Sequence, residues 1–162
     1  MTLMEGDVDC AFVTVPSHAE SEFEAFPLTA DRMMVLLNED NPLCSHESIT
    51  PLDLKEEAFI LPAEGANYQI GQAFADAGVP LKSRLTINDD YSAIQMVRDW
   101  SCVTTLPERV TELFSMTGIR AIPFEHTKRT IAIAAKKGRV SDPEIKAFIL
   151  SAQQVRDEQN TH

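Results

Sequence analysis

The chain has 162 residues, of which 44% are hydrophobic, with only 6 glycines and 9 prolines; this composition fits a globular protein and excludes a disordered or fibrous one. Its 25 acidic and 14 basic residues give a net charge of −11, so we expect the acidic surface to repel phosphate and prevent tight DNA binding by this chain alone. No apolar run approaches the roughly 18–20 residues that a membrane-spanning helix needs.

Apolar runs and turn signals predict strands and helices that alternate along the chain. Residues 17–27 are polar and are predicted to be irregular. Regular alternation of this kind is typical of an α/β domain with a mostly parallel sheet and helices on its faces. The predicted strands are residues 9–15, 32–37, 58–61, 83–87, 102–106, 119–124 and 130–135.

Capping residues predict where the helices begin and end. Thr50 and Pro51 predict a one-turn helix over residues 50–54. Asn67 is a candidate cap for the next helix, Gly78 suits its left-handed end, and Asp89 caps the helix that follows. A further helix is predicted after Pro107, with Val110, Leu113 and Phe114 facing inward. The capping-box pattern of Ser141 to Glu144 predicts the last helix. Its apolar stripe consists of Ile145, Phe148, Ile149, Ala152 and Val155.

The cysteines and the first residues indicate the compartment. Cys10, Cys44 and Cys102 are odd in number and far apart, which is typical of reduced thiols and not of a disulfide framework. The stretch Met1 to Asp7 lacks the basic and apolar regions of a secretory signal peptide. We therefore expect a cytoplasmic protein.

We identify no catalytic or metal-binding constellation. His18, His46 and His126 lie in polar stretches, and no Gly-x-Ser-x-Gly nucleophile elbow is present. No group of His, Cys or carboxylate residues has metal-ligand spacing. Asp89 and Asp90 resemble a carboxylate pair, but a helix cap is the better interpretation. We expect no enzyme activity, no metal and no cofactor.

The stretch Glu64-Gly65-Ala66-Asn67 lies between a predicted strand and a predicted helix. It is not a phosphate-binding P-loop, because it lacks the Lys and the Ser or Thr of that motif. A glycine followed by a helix N-terminus nevertheless presents free backbone N–H groups and the positive end of the helix dipole. This geometry favours a carboxylate or another anion, whereas the plainer interpretation is an ordinary capped loop.

Five segments in a fixed order carry a resemblance to a known family. They are Gly6 to Val13, Leu28 to Leu43, Phe59 to Gly78, Asp89 to Pro107, and Thr130 to Lys137 with the helix that follows. In this order they resemble the effector-binding domain of LysR-type transcriptional regulators. Such regulators carry a helix-turn-helix and two βα units before the Gly-x-Val-Asp strand, so we expect this chain to be N-terminally truncated.

The resemblance implies an α/β fold of the type 2 periplasmic-binding-protein class, with one complete subdomain and one partial subdomain. Residues 1–28 would be a remnant of subdomain I and the crossover, residues 29–125 a complete subdomain II, and residues 126–162 the return strand and C-terminal helix of subdomain I. The chain would cross between subdomains near residues 15–28 and return near residues 124–130.

The resemblance also implies a function, which is to sense a small polar or anionic metabolite as an effector. The effector would contact Thr14, Val15, Gly65, Ala66, Asn67, Tyr68 and Thr104. The chain would form a homo-oligomer and reach DNA only through the absent N-terminal domain. The alternatives are a solute-binding protein or an enzyme of the same two-subdomain fold.

This chain differs from other members of the resembled family in where its cysteines lie and in the residues around position 100. Relatives that sense oxidants through cysteine carry it in the region matching residues 63–78, where this chain has none. We therefore interpret Cys102 as a packed thiol. Trp100 and Cys102 also stand where the family usually carries glycines, and Trp100 is a candidate to fill or narrow the cleft.

Overall fold

The structure, a computed structural model, describes residues 3, 5–15, 22–62 and 67–159. The strands are β1 (Cys10–Val15), β2 (Phe23–Asn38), β3 (Phe59–Pro62), β4 (Ser83–Ile87), β5 (Thr104–Pro107) and β6 (Ile119–Lys136). The α-helices are α1 (Asn67–Asp76), α2 (Asp90–Trp100), α3 (Glu108–Thr111) and α4 (Pro143–Gln159), with short 3-10 helices at Pro42–Ser45 and Lys137–Arg139.

The chain divides into two compact units. Unit one is formed by Met1–Ala30 and Thr130–His162, and unit two by Asp31–Arg129. Strands β2 and β6 each run from one unit into the other, so the chain passes between the units twice in extended conformation. The completeness of each unit relative to a family subdomain stays a prediction.

The core of unit two forms on both faces of β2. Residues 33–37 read Met-Met-Val-Leu-Leu, and all five are buried. Side chains alternate across a strand, so Met33, Val35 and Leu37 join one apolar cluster while Met34 and Leu36 join the other. Helix α1 covers the first cluster with Ile70 and Phe74, and helix α2 covers the second with Ala93, Ile94 and Val97.

More of the strand pairs are antiparallel than the sequence predicts. The hydrogen-bonded order is β1-β6-β2-β5. In unit one β1 pairs antiparallel with β6, and in unit two β2 pairs antiparallel with β5, whereas β3 and β4 are parallel. The prediction of a mostly parallel sheet is therefore wrong for the long strands, because β6 returns beside β1 in the reverse direction.

Unit one is built around the β1–β6 pair, which α4 covers. Ile145 and Ile149 of α4 pack on Ile133 and Ala135 of β6. On the opposite face, Ala134 packs with other apolar side chains, namely Leu3, Phe23, Val8, Ala11 and Val13. The ordered strand and helix in this unit thus bury apolar surface on both faces of β6.

The crossover strands correct two boundaries. Residues 119–136 form one strand and not two, because the polar stretch 125–129 stays extended: the Glu125 amide donates to the Ile49 carbonyl at 2.9 Å. His126 within it has a left-handed φ of 53°. Strand β2 begins at Phe23, so residues 23–27, predicted to be irregular, are strand; residues 17–21 lie outside the described residues.

Three predictions about helices are wrong. Residues 51–56 form successive turns, in which the Thr50 backbone amide donates to the Asp53 carboxylate at 2.8 Å, and they do not form a helix. Helix α3 has only one turn, so Leu113 lies beyond it and is 78% exposed. On α4 the buried stripe is narrow, and Phe148 and Val155 at its margin are 44% and 53% exposed.

Other helix ends are confirmed. The Asp89 carboxylate accepts a hydrogen bond from the Ser92 amide at 2.7 Å and caps α2. Gly78 has a φ of 66° just past α1, a conformation that L side chains rarely adopt, and the Val79 amide donates to the Phe74 carbonyl there.

Candidate functional site

The unit-one part of the predicted site lies at the carboxyl end of β1. Thr14 stands opposite Ile131 and Val15 opposite Thr130 in the β1–β6 ladder. Both side chains are half-buried. A half-buried threonine at a strand end presents a hydroxyl that can donate and accept, which suits recognition of a polar ligand.

The glycine-containing segment of the predicted site lies partly outside the described residues. Gly65 and Ala66 lie outside the described residues, as does the side chain of Asn67, which is the first residue of α1. Tyr68 follows in the first turn of α1 and is 39% exposed. Binding of an anion at this helix N-terminus stays a prediction.

Thr104 lies deeper than a surface contact. It is fully buried on β5, and its hydroxyl donates to the Ile60 carbonyl of β3 at 2.9 Å. The hydroxyl proton is thus used to tie β5 to the edge of the neighbouring two-stranded sheet. Thr104 thereby anchors β3 at its second residue, Ile60, and its role as an effector contact stays a prediction.

The neighbouring Thr105 is a candidate that the sequence interpretation missed. It is fully buried opposite Val35, and its hydroxyl oxygen has no hydrogen-bond partner among the described residues. A buried hydroxyl without a partner is costly, so such a group is a candidate for binding water or a ligand. The Thr-Thr pair before Leu106-Pro107 was the available signal, because consecutive residues of a strand face opposite sides.

An ion pair between a buried carboxylate and a partly exposed guanidinium joins the crossover strands and was also missed. Asp31 of β2 is 4% exposed, and its Oδ2 lies 3.6 Å from Nη2 of Arg129 on β6. Asp31 Oδ1 accepts a weak hydrogen bond from the Arg109 amide at 3.4 Å. Within the described ranges, Asp31 Oδ2 and Arg129 Nε are buried without a hydrogen bond. The pair therefore keeps hydrogen-bonding capacity that the chain itself does not use.

Thr105 and the ion pair do not form one cluster. Val35, which stands opposite Thr105, is four residues beyond Asp31 on β2. A strand rises about 3.3 Å per residue, so the two positions are about 13 Å apart along it. They are separate polar groups along the same strand.

Two acidic residues at the start of α2 have different environments. Hydrogen bonds from Ser92 lower the pKa of Asp89, which confirms its interpretation as a helix cap. Burial and then the charge of Asp89 raise the pKa of Asp90, while Arg129 opposes that shift. The positive charge of Arg129 thus acts on two carboxylates, those of Asp31 and Asp90.

The environment of Cys102 does not favour a reactive thiol. Its thiol is buried and donates to the Met96 carbonyl at 3.1 Å, and burial raises its pKa, so the packed-thiol interpretation is confirmed. Trp100 beside it is 70% exposed at the end of α2. In the part of the chain that the structure describes, no group of three His, Cys, Asp or Glu residues could hold a metal ion.

Across the described ranges, no helix is long and apolar enough to cross a bilayer.

Comparison with known proteins places this geometry in a family. Residues 2–157 match the LysR substrate binding domain. An uncharacterized HTH-type transcriptional regulator of Bacillus subtilis (strain 168), YvbU, is 30% identical over 112 residues, which are 69% of this chain and 36% of that protein. The chain thus spans little more than a third of the length of this curated relative.

Solved structures share the fold. The effector binding domain of QuiR in complex with shikimate superposes with a TM-score of 0.79 at 20% identity, covering 96% of this chain and 75% of that one. The CcmR regulatory domain of Synechocystis PCC6803 in complex with 2-PG gives 0.78 at 18% identity, covering 95% and 76%. The effector binding domain of a BenM variant gives 0.81 at 17% identity, covering 98% and 76%. The type 2 periplasmic-binding-protein-like α/β fold is confirmed.

Proposed function

Because this chain belongs to the LysR substrate binding domain family, we propose that it is the part of a transcriptional regulator that binds a small-molecule effector. The observation that carries this proposal is the family match, which extends over residues 2–157. Its fold, with two units joined by two extended strands, is the arrangement that such a sensor requires.

The effector that fits best is a small polar or anionic metabolite. Two proteins of the same fold were solved with shikimate and with 2-PG, respectively. In this chain the candidate contacts are Thr14, Val15, Gly65, Ala66, Asn67, Tyr68 and Thr104, to which we add Thr105. The unused hydroxyl of Thr105 supports a polar ligand, because an apolar one would leave it without a partner.

The mechanism is a shift in population. An effector that binds one arrangement of the units better than another stabilises that arrangement by the difference in binding free energy. A tenfold difference in affinity corresponds to about 1.4 kcal/mol. Strands β2 and β6 both run from one unit into the other, so they are the elements through which we propose that this shift is coupled.

The remaining assignments are also part of the proposal. The chain acts as a binding module and not as an enzyme, it forms homo-oligomers, and it acts in the cytoplasm, where transcription is regulated. DNA is reached through a helix-turn-helix of the kind that gives the Bacillus subtilis relative its name. With a net charge of −11, the residues of this chain are poorly suited to contact DNA phosphates themselves.

A thermal-shift screen of small carboxylates and polyols, including shikimate, tests the proposal. Binding of an effector at 100 times its Kd stabilises the folded chain by about 2.7 kcal/mol, which raises the melting temperature by several degrees. Thr105→Val should abolish most of that shift, while Thr86→Val on exposed β4 should retain it. If the two variants respond alike to every compound that binds, Thr105 does not contact the effector; if no polar compound binds, the effector class is wrong.

A further inference from the structure

A groove in unit one lies apart from every residue of the proposed effector site. Its volume is about 370 Å³, and it runs between α4 and β2. Phe26, Val140 and Ile149 form its apolar floor, and Leu150, which is 50% exposed, forms one wall. Its volume falls within the range of about 300–1,000 Å³ that is usual for small-molecule pockets.

The two walls are held together at one end. Arg156, one turn of α4 beyond the groove residue Gln153, donates from Nη1 to the Pro27 carbonyl of β2 at 3.2 Å. This bond links α4 to β2 at that end of the groove.

Three polar residues line the groove, and each of them can donate a hydrogen bond. Lys146 contributes an ammonium group, Ser141 a hydroxyl and Gln153 an amide. The Lys146 ammonium makes no ion pair with any residue in the described ranges. Among the described residues that line the groove, Lys146 is the one charged side chain, in a protein of net charge −11.

We propose that this groove is a second ligand site, which binds a small monocarboxylate with one ring or a short branched alkyl body. The apolar body covers Phe26, Ile149 and Leu150 and removes their surface from water. The carboxylate pairs with Lys146, and the Ser141 hydroxyl and Gln153 amide supply neutral donors. A cationic ligand finds no carboxylate among the described residues that line the groove, and a neutral ligand leaves Lys146 unused.

Phenylacetate and phenylacetamide are suitable probes, because they share a shape and differ in charge. Each is titrated into the ¹⁵N-labelled full chain, and amide shifts are followed by NMR. We expect saturable shifts at residues 140–153, with phenylacetate binding about three to five times more tightly than phenylacetamide, the range set by one partly exposed ion pair.

Two variants separate charge from apolar contact. Lys146→Gln should remove the preference for phenylacetate and leave phenylacetamide binding unchanged, whereas Leu150→Ser should weaken both. Lys55→Gln, at another exposed lysine without an ion pair, is the matched control and should bind like the wild type. All three positions are exposed, and thermal melts verify that the variants fold.

The proposal fails if the shifts do not saturate, if they map to residues outside 26–27 and 140–156, or if Lys146→Gln and Lys55→Gln are indistinguishable. Shifts at Thr14, Tyr68 or Thr105 would instead report the effector site. The two proposals can therefore fail independently, because they predict shifts at different residues.

Discussion

Arg129 Nη2 lies 3.6 Å from Asp31 Oδ2, and this contact joins β6 to β2 at the two residues where unit two begins and ends. Asp31 and Arg129 are 98 positions apart in sequence, so only the fold brings them together.

Removing one partner of this pair should cost more than removing both. Arg129→Met leaves the buried Asp31 carboxylate without its counter-charge, and we expect a loss of about 3 kcal/mol in the free energy of unfolding. The double variant with Asp31→Asn should recover a large part of that loss. Urea denaturation of the wild type, both single variants and the double variant measures the coupling. Additive losses would show that the two side chains do not interact.

Two adjacent threonines should respond oppositely to the same substitution. Thr104→Val removes a buried hydrogen bond to the Ile60 carbonyl, and we expect it to destabilise the chain by about 1–2 kcal/mol. Thr105→Val removes a buried hydroxyl that has no partner in the described residues, so stability should stay the same or rise. Thermal and urea unfolding of the ligand-free chain check both. A large loss for Thr105→Val would mean that its hydroxyl is already satisfied.

The left-handed backbone of His126 predicts a stabilising substitution. Glycine adopts a φ of 53° without steric cost, and the His126 side chain is 93% exposed, so His126→Gly should gain about 0.5–1 kcal/mol. His46→Gly is the control, because His46 has an ordinary φ of −81° and glycine there adds only freedom to the unfolded chain. We expect the control to lose stability. Equal changes in both variants would contradict a strained His126.

Exposed aromatic surface in unit one predicts self-association. Phe12 on β1 is 63% exposed and packs edge-to-face on Phe148 of α4, with ring centroids 6.2 Å apart. Strand β1 also ends the hydrogen-bonded strand order, and such an edge can pair with another chain. Light scattering at tens of micromolar should therefore detect oligomers.

The double variant Phe12→Ser and Phe148→Ser should shift this equilibrium toward monomer. Leu113→Ser is the matched control, since Leu113 is 78% exposed but belongs to unit two. A monomeric wild-type chain, or equal effects of the control and the double variant, would contradict this surface as the interface.

Local sequence patterns predicted helix termini and several strands. They did not predict the features that depend on contacts between residues far apart in sequence. The β4 prediction of residues 83–87 and the Asp89 cap depend on neighbouring residues, and both agree with the structure. The polar stretch 125–129 has no strand periodicity, and its extended backbone depends on Ile49, far away in sequence. Thr105 and the Asp31–Arg129 pair likewise become visible only when the strands are paired.

The most direct measurement is NMR shift mapping of the ¹⁵N-labelled chain during titration with an effector identified in the thermal-shift screen. The proposed effector site predicts shifts at Thr14, Val15, Asn67, Tyr68 and Thr105, all of which saturate with a single Kd. An effector that leaves these amides unshifted, or that shifts them with separate dissociation constants, would contradict the proposed site.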